Sequence, residues 1–174
     1  MVLQVLYSVK FKHIVIVDVL TISTGFIMRV LAGALVIKVP VSSWLLLCTF
    51  SVAILLALGK RRHEMVILSE EAGSHRPVLE GYNVPLLDQL LQVVTTSTFI
   101  FYCLYSVHGN PTIGIQSQRM MVTIPLVAYG LFRYLYLIYS KEDGGSPASL
   151  LVTDPPLLTS VLLWLIACIA IIYL

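Results

Sequence analysis

An all-α integral membrane protein with five transmembrane helices is the fold class this sequence predicts, and three observations carry that prediction. The 174 residues are 58% hydrophobic and only 11% charged, with a mean hydropathy of +0.92, a balance that argues against a water-soluble fold. Five apolar stretches approach the length that crosses a hydrocarbon core, about 20 residues each. The turn-forming residues Pro40, Pro85, Gly109-Asn110-Pro111, Gly144-Gly145-Ser146-Pro147 and Pro155-Pro156 fall at or near their boundaries.

Taken in order, the predicted spans are residues 13–39, 43–59, 86–107, 120–140 and 156–174. All are expected to be α-helical, because in lipid the backbone must satisfy its own hydrogen bonds and the continuous Leu/Ile/Val runs lack the alternation of a transmembrane barrel. Pro125 is expected to kink the fourth helix. Upstream, the apolar stub from Met1 to Leu6 runs into Tyr7-Ser8-Val9-Lys10, which reads as the end of a helix that began earlier and not as a signal peptide. With alternating passes, one side of the membrane carries Lys10, Lys12, Lys60, Arg61, Arg62, Arg76 and Lys141, and the other only Lys38 and Arg119. Loops rich in Lys and Arg stay cytoplasmic, which assigns residues 7–12, 60–85 and 141–154 to the cytoplasm.

Several function classes drop out. The net charge of +2 comes with no basic face or tail, which disfavours nucleic acid. Cys48, Cys103 and Cys168 each lie inside an apolar run, so they read as small hydrophobes with no zinc or disulfide expected. No Walker, GxSxG or HExxH sequence is present, and no repeated half or pair of broken helices points to a secondary transporter.

Charges inside apolar spans are the costly residues, at roughly 2.5 to 3.5 kcal/mol each on insertion scales. Asp18, Arg29 and Arg133 are flagged on that ground. On a helix of about 100° per residue, Gly25 and Arg29 return to within roughly 20° of Asp18, a stripe expected to face the bundle interior. Two readings of it stand side by side: interhelical pairing of the charges, or contact with a charged substrate. Gly25, Gly33 and Ala34 are read as small residues that let helices approach.

The cluster Lys60-Arg61-Arg62-His63-Glu64 likewise reads either as a headgroup anchor or as part of a phosphate clamp. For the clamp, Glu64 lies one turn after Lys60, and His75-Arg76 and Tyr82 follow in the same loop. Cations would neutralise phosphate oxygens and Glu64 could hold a divalent metal, with Arg133-Tyr134 closing the site. The tyrosines near helix ends, Tyr102 among them, read as belt or packing residues.

The motifs occur in a telling order: Tyr7-Ser8-x-x-x-Lys12 with Asp18-Val19, Gly25-Phe26-x-x-Arg29, Ala32-Gly33-Ala34, Ser43-Trp44, Gly59-Lys60-Arg61-Arg62-x-Glu64, His75-Arg76-x-x-Leu79-x-x-Tyr82 and Tyr129-Gly130-x-x-Arg133-Tyr134. The set resembles the decaprenyl-phosphate phosphoribosyltransferase branch of the UbiA prenyltransferase superfamily. The resemblance implies a nine-helix bundle in the plasma membrane with a cytoplasm-facing site. It also implies transfer of a phosphoribosyl group from phosphoribosyl pyrophosphate to a polyprenyl phosphate, releasing pyrophosphate with magnesium as cofactor. Carried over residue by residue, it gives Asp18, Lys60 and Glu64 catalytic roles, with Glu64 also the metal candidate. Lys12, Arg29, Arg61, Arg76, Tyr82 and Arg133 become substrate-binding candidates.

The departures are equally specific. No Asn-Asp-x-x-Asp-x-x-x-Asp segment occurs, nothing corresponds to the four helices expected before Tyr7, and Pro147-Ala148 stands where the family has Pro-Glu, although Asp154 is retained. Residues 1–174 therefore read as a single, partial membrane domain, the C-terminal portion of the UbiA-type bundle. Two alternatives remain open: a prenyl transfer to an aromatic acceptor, and a non-catalytic protein that binds lipid phosphate. A second Asp-rich motif would mark the former, and Lys60-Arg61-Arg62-His63-Glu64 takes its place here.

Overall fold

The computed structural model describes residues 14–70, 81–108, 117–140 and 147–173, and every element among them is helical. The order is α1 (Val17–Ile37), α2 (Ser43–Glu70), α3 (Val84–His108), α4 (Ser117–Met120), a 3-10 turn (Met121–Thr123), α5 (Ile124–Ser140), α6 (Pro147–Thr153) and α7 (Pro155–Tyr173). Five segments are long and apolar enough to cross a membrane: α1, Ser43–Ile67 of α2, α3, Met121–Ser140 and α7. The chain is a multi-pass membrane protein. At 1.5 Å per residue α1 is about 31 Å long, close to the roughly 30 Å hydrocarbon thickness.

Local chemistry sets the helix ends. Asn83 caps α3, its Oδ1 accepting the Leu86 N–H at 2.8 Å, and Asp154 caps α7 through Leu157 N–H at 2.9 Å, each freeing the first turn of an orphan donor. Pro85 and Pro155-Pro156 sit in first turns, where a missing N–H costs nothing. The C-terminus of α1 closes with Lys38 in the left-handed region, φ 56°, and with Val39 N–H bonded to Ala34 O at 3.0 Å, a Schellman-type stop before Pro40.

One expectation is corrected. The second helix does not end at Gly59 but runs on to Glu70, so Lys60 to Glu64 lie on helix and not in a loop; residues 60–70 hold no Gly or Pro, and Lys, Arg, Glu and Met propagate a helix well. Pro125 occupies the first turn of α5, where 3-10 geometry passes into α-helix, again a position that needs no donor.

Packing runs in chain order: α1 on α2, α2 on α3, α3 on α5 and α5 on α7. Leu55 and Leu58 of α2, Leu87 and Leu91 of α3, and Leu137 and Ile138 of α5 form the centre of the core. Between α2, α3, α5 and α7 lies an apolar cavity of about 670 Å³, walled by residues such as Cys48, Leu56, Leu131 and Trp164. Near it Trp164 Nε1–H donates to Tyr102 Oη at 2.7 Å. Because Thr123 Oγ1 donates to Met120 O, Tyr102 in turn donates to Thr123. Tyr102 is thus an interior hub joining α3, the 3-10 turn and α7, the packing alternative of the belt-or-packing reading.

At Gly59 the helices meet closely. A Cβ there would stand 2.5 Å from Tyr134 Oη and 3.0 Å from Ile138 Cδ1, and Tyr134 Oη is buried without a hydrogen-bond partner. Gly59→Ala is therefore expected to destabilise the protein by about 1–3 kcal/mol, while Tyr134→Phe is neutral or stabilising because no hydrogen bond is lost. Unfolding in mixed micelles checks both, and the double variant should recover most of the loss.

Candidate functional site

The functional candidates gather where the start of α1, the continuation of α2 and the entry to α3 meet. Asp18, in the first turn of α1, is fully buried. Its Oδ2 accepts Arg61 Nε–H at 2.8 Å and its Oδ1 accepts the Tyr82 hydroxyl at 3.0 Å. Arg61, 5% exposed, also gives an Nη1–H to Glu64 Oε2 at 2.6 Å, one turn along α2. Four of the nine sequence candidates, Asp18, Arg61, Glu64 and Tyr82, thus form one charge-assisted network from three separate segments.

Backbone geometry holds the network. Ile16 takes φ 69°, rare for a β-branched residue, and its N–H donates to Tyr82 Oη at 2.7 Å. Gly81 makes this approach possible, since a Cβ there would collide with Val15. The Tyr82 hydroxyl is pushed up to about 12, chiefly by burial; the Ile16 N–H opposes the shift and the Asp18 carboxylate adds to it. It is therefore protonated at neutral pH and able to donate to Asp18.

The other candidates stand elsewhere. Lys60 is exposed at the same end of α2 and has no ion-pair partner among the described residues. Arg133 forms a two-pronged pair with Asp154, Nε to Oδ1 at 3.0 Å and Nη2 to Oδ2 at 2.7 Å, and lies over the Tyr136 ring. Asp154 thereby links α5 to the cap of α7. Arg29 is not on a buried stripe with Asp18. It is exposed with its guanidinium over Phe26 at 5.1 Å, because α1 buries only Asp18, Val19 and Ser23 among the described residues. Lys12 and Arg76 lie outside the described residues.

A second cluster adjoins the first. Arg62 Nε–H donates to Asp88 Oδ1 at 2.6 Å and Nη1–H to Ile138 O at 3.1 Å, and the guanidinium stacks on Tyr139 at 4.6 Å, whose hydroxyl donates to Asp88 O at 3.3 Å. Asp88 is not a candidate from sequence, and Arg62 enters there only as a member of the Lys60-to-Glu64 cluster. The signal was present, because Asp88 falls inside the third predicted span, where the cost that flags Asp18 applies equally.

For magnesium, the described residues do not make a site on their own. No group of three or more His, Cys, Asp or Glu side chains gathers among them, both Asp18 oxygens are engaged, and Glu64 pairs with Arg61. The arrangement presents a protein cation, Lys60, beside an arginine whose orientation two carboxylates fix. Such a surface suits a phosphate.

Comparison with known proteins agrees with the motif order. The chain is 26% identical over 176 residues to the decaprenyl-phosphate phosphoribosyltransferase of Corynebacterium glutamicum, covering 99% of the chain and 52% of that relative. The proteins of the same name from Mycolicibacterium smegmatis, 26% over 171 residues, and Mycobacterium tuberculosis, 24% over 166 residues, match 93% and 94% of the chain and 52% and 53% of their own lengths. No family model matches. The chain spans about half the length of the curated relatives it resembles.

The raised Tyr82 value has a pH signature. A group whose folded pKa lies above its unfolded value stabilises fully below the unfolded value and loses that contribution as pH rises. The stability of the wild type relative to Tyr82→Phe should be constant below pH 10 and fall between pH 10 and about 12. Unfolding midpoints across that range check it.

Proposed function

We propose that this chain carries part of the site of a membrane phosphoribosyltransferase, which moves a phosphoribosyl group from phosphoribosyl pyrophosphate to a polyprenyl phosphate at the cytoplasmic face. The observation that supports this most is the Asp18–Arg61–Glu64–Tyr82 network with Lys60 beside it, built from the same motifs that resemble the family and present in a chain whose relatives bear that name.

In the reaction a polyprenyl phosphate oxygen bonds to the anomeric carbon of ribose as the bond to pyrophosphate breaks. The lipid phosphate is already anionic and needs no general base. Charge accumulates on the departing pyrophosphate oxygens, so cation placement is the main catalytic demand. Lys60 supplies a mobile cation to those oxygens. Arg61 is held by Asp18 and Glu64 in one orientation, which leaves its remaining N–H bonds as fixed donors. Asp18 acts through Arg61 as a positioning residue, and Tyr82 does the same through Asp18. Lys12 and Arg76 remain candidates for the phosphates, while Arg133 acts through its clamp on Asp154. Magnesium, where bound, would neutralise pyrophosphate oxygens, with Glu64 its one candidate ligand among the described residues.

A second reading, lipid-phosphate binding without turnover, is favoured by one observation: the described residues hold no carboxylate cluster for a metal. One experiment separates the two. The full chain is reconstituted in vesicles containing decaprenyl phosphate and supplied with labelled phosphoribosyl pyrophosphate and magnesium, and label in the lipid fraction is counted. Transfer is expected, with a loss of about 10²-fold or more in Lys60→Ala. Binding of decaprenyl phosphate with no label transferred would support the second reading, and neither binding nor transfer would sink both.

A further inference from the structure

Arg29 is a charge inside an apolar span that has no ion pair among the described residues. It follows Asp18 by about 16 Å along α1 and stands about 12 Å short of the helix end at Ile37, at 1.5 Å per residue. Its guanidinium is turned back over Phe26, towards mid-span and away from that end. The carboxylates Asp18, Glu64, Asp88 and Asp154 are engaged by Arg61, Arg62 and Arg133, and Arg29 has no ion pair among the described residues. A charge this deep is costly in lipid unless a counter-charge meets it, and such residues face other protein segments.

The helix around Arg29 is shaped to receive one. Gly25 and Gly33 lie one turn to either side, within an arc of about 80°, and a Cβ on either would meet nothing within 4 Å. Phe26 and Met28 beside them are exposed. Small residues on a membrane helix let a second backbone come close, which would bring a short acidic side chain within reach of the guanidinium.

We propose that this face of α1 is a docking surface for a further transmembrane helix bearing an acidic residue at mid-span, its carboxylate paired with Arg29 and its backbone seated over Gly25 and Gly33. A second copy of the described segments fits poorly, because Asp18 is fully buried in its own network, Asp88 is paired with Arg62 near the start of α3, and Asp154 is paired with Arg133 ahead of α7. A lipid headgroup would have to be drawn about 12 Å below the end of the helix.

The full chain, donor-labelled and reconstituted in phosphatidylcholine vesicles, is mixed with an acceptor-labelled Leu/Ala transmembrane peptide carrying one central Glu, or Gln as control. Energy transfer reports association. The Glu peptide is expected to associate about tenfold more tightly than the Gln peptide. Arg29→Gln should abolish that preference, Arg29→Lys should keep most of it, and Gly33→Leu should weaken both peptides severalfold. Circular dichroism verifies that each variant keeps its helix content, and Arg29→Lys carries the test if Arg29→Gln does not. Equal binding of the two peptides, or a preference that survives Arg29→Gln, overturns the proposal. So does Arg29-dependent enrichment of labelled phosphatidylglycerol that removes the peptide preference, which would make a lipid phosphate the counter-ion.

Discussion

The buried pair between Asp18 and Arg61 is the interaction on which the arrangement of the site depends. It joins the first turn of α1 to a point on α2 43 residues later, with almost no solvent access at either partner. Taking both charges out of water is expensive, and a buried pair gains little net stability over apolar packing. What it contributes is selectivity of arrangement. An Asp18 without Arg61 is an uncompensated buried charge, and an Arg61 without Asp18 keeps only its Glu64 partner, so packings of α1 on α2 that align Asp18 with Arg61 are favoured over the rest. Tyr82 and the Ile16 N–H then follow, because the second Asp18 oxygen also needs a donor.

The same device recurs along the bundle. Arg61 ties α1 to α2, Arg62 ties α2 to α3 through Asp88 and reaches the α5 backbone at Ile138, and Arg133 ties α5 to the cap of α7 through Asp154. Three of the four successive contacts between spans therefore carry an arginine–aspartate pair, and α5 is held on the α2 side through its Ile138 carbonyl. Apolar surfaces of membrane helices slide easily past one another, since lipid tails compete for the same contacts. Polar clamps fix the register that Leu and Ile leave loose. Two of these arginines come from one run, Lys60-Arg61-Arg62, and point to different neighbours, which leaves Lys60 on the remaining face of the helix.

The sequence makes the spans legible because length and continuous hydropathy are sufficient for them, and the membrane-length helices follow the predicted spans except where α2 continues past Gly59, while the short α4 and α6 form in or reach into segments read as loops. That extension escapes a hydropathy reading, which registers where apolar residues stop and not where a helix does. Asp18, Arg61, Glu64 and Tyr82 were all recognisable as candidates from their residue types and motif positions. Their mutual contacts were not, because separations of 43 and 64 residues are set by tertiary packing. Arg29 shows the limit of periodicity. It shares a helical face with Asp18, yet the two lie about 16 Å apart along the axis, and a shared face says nothing about shared surroundings.

A double-mutant cycle on Asp18 and Arg61 tests the central claim most directly. Unfolding free energies of the wild type, Asp18→Asn, Arg61→Gln and the double variant are measured in the same mixed micelles. Each single variant should lose about 3–5 kcal/mol, and the double variant should lose less than their sum by about 2 kcal/mol or more, near the upper range for residues in direct contact. Losses that add to within about 0.5 kcal/mol would show that the two side chains do not depend on each other, and the site would then have to be organised by something else.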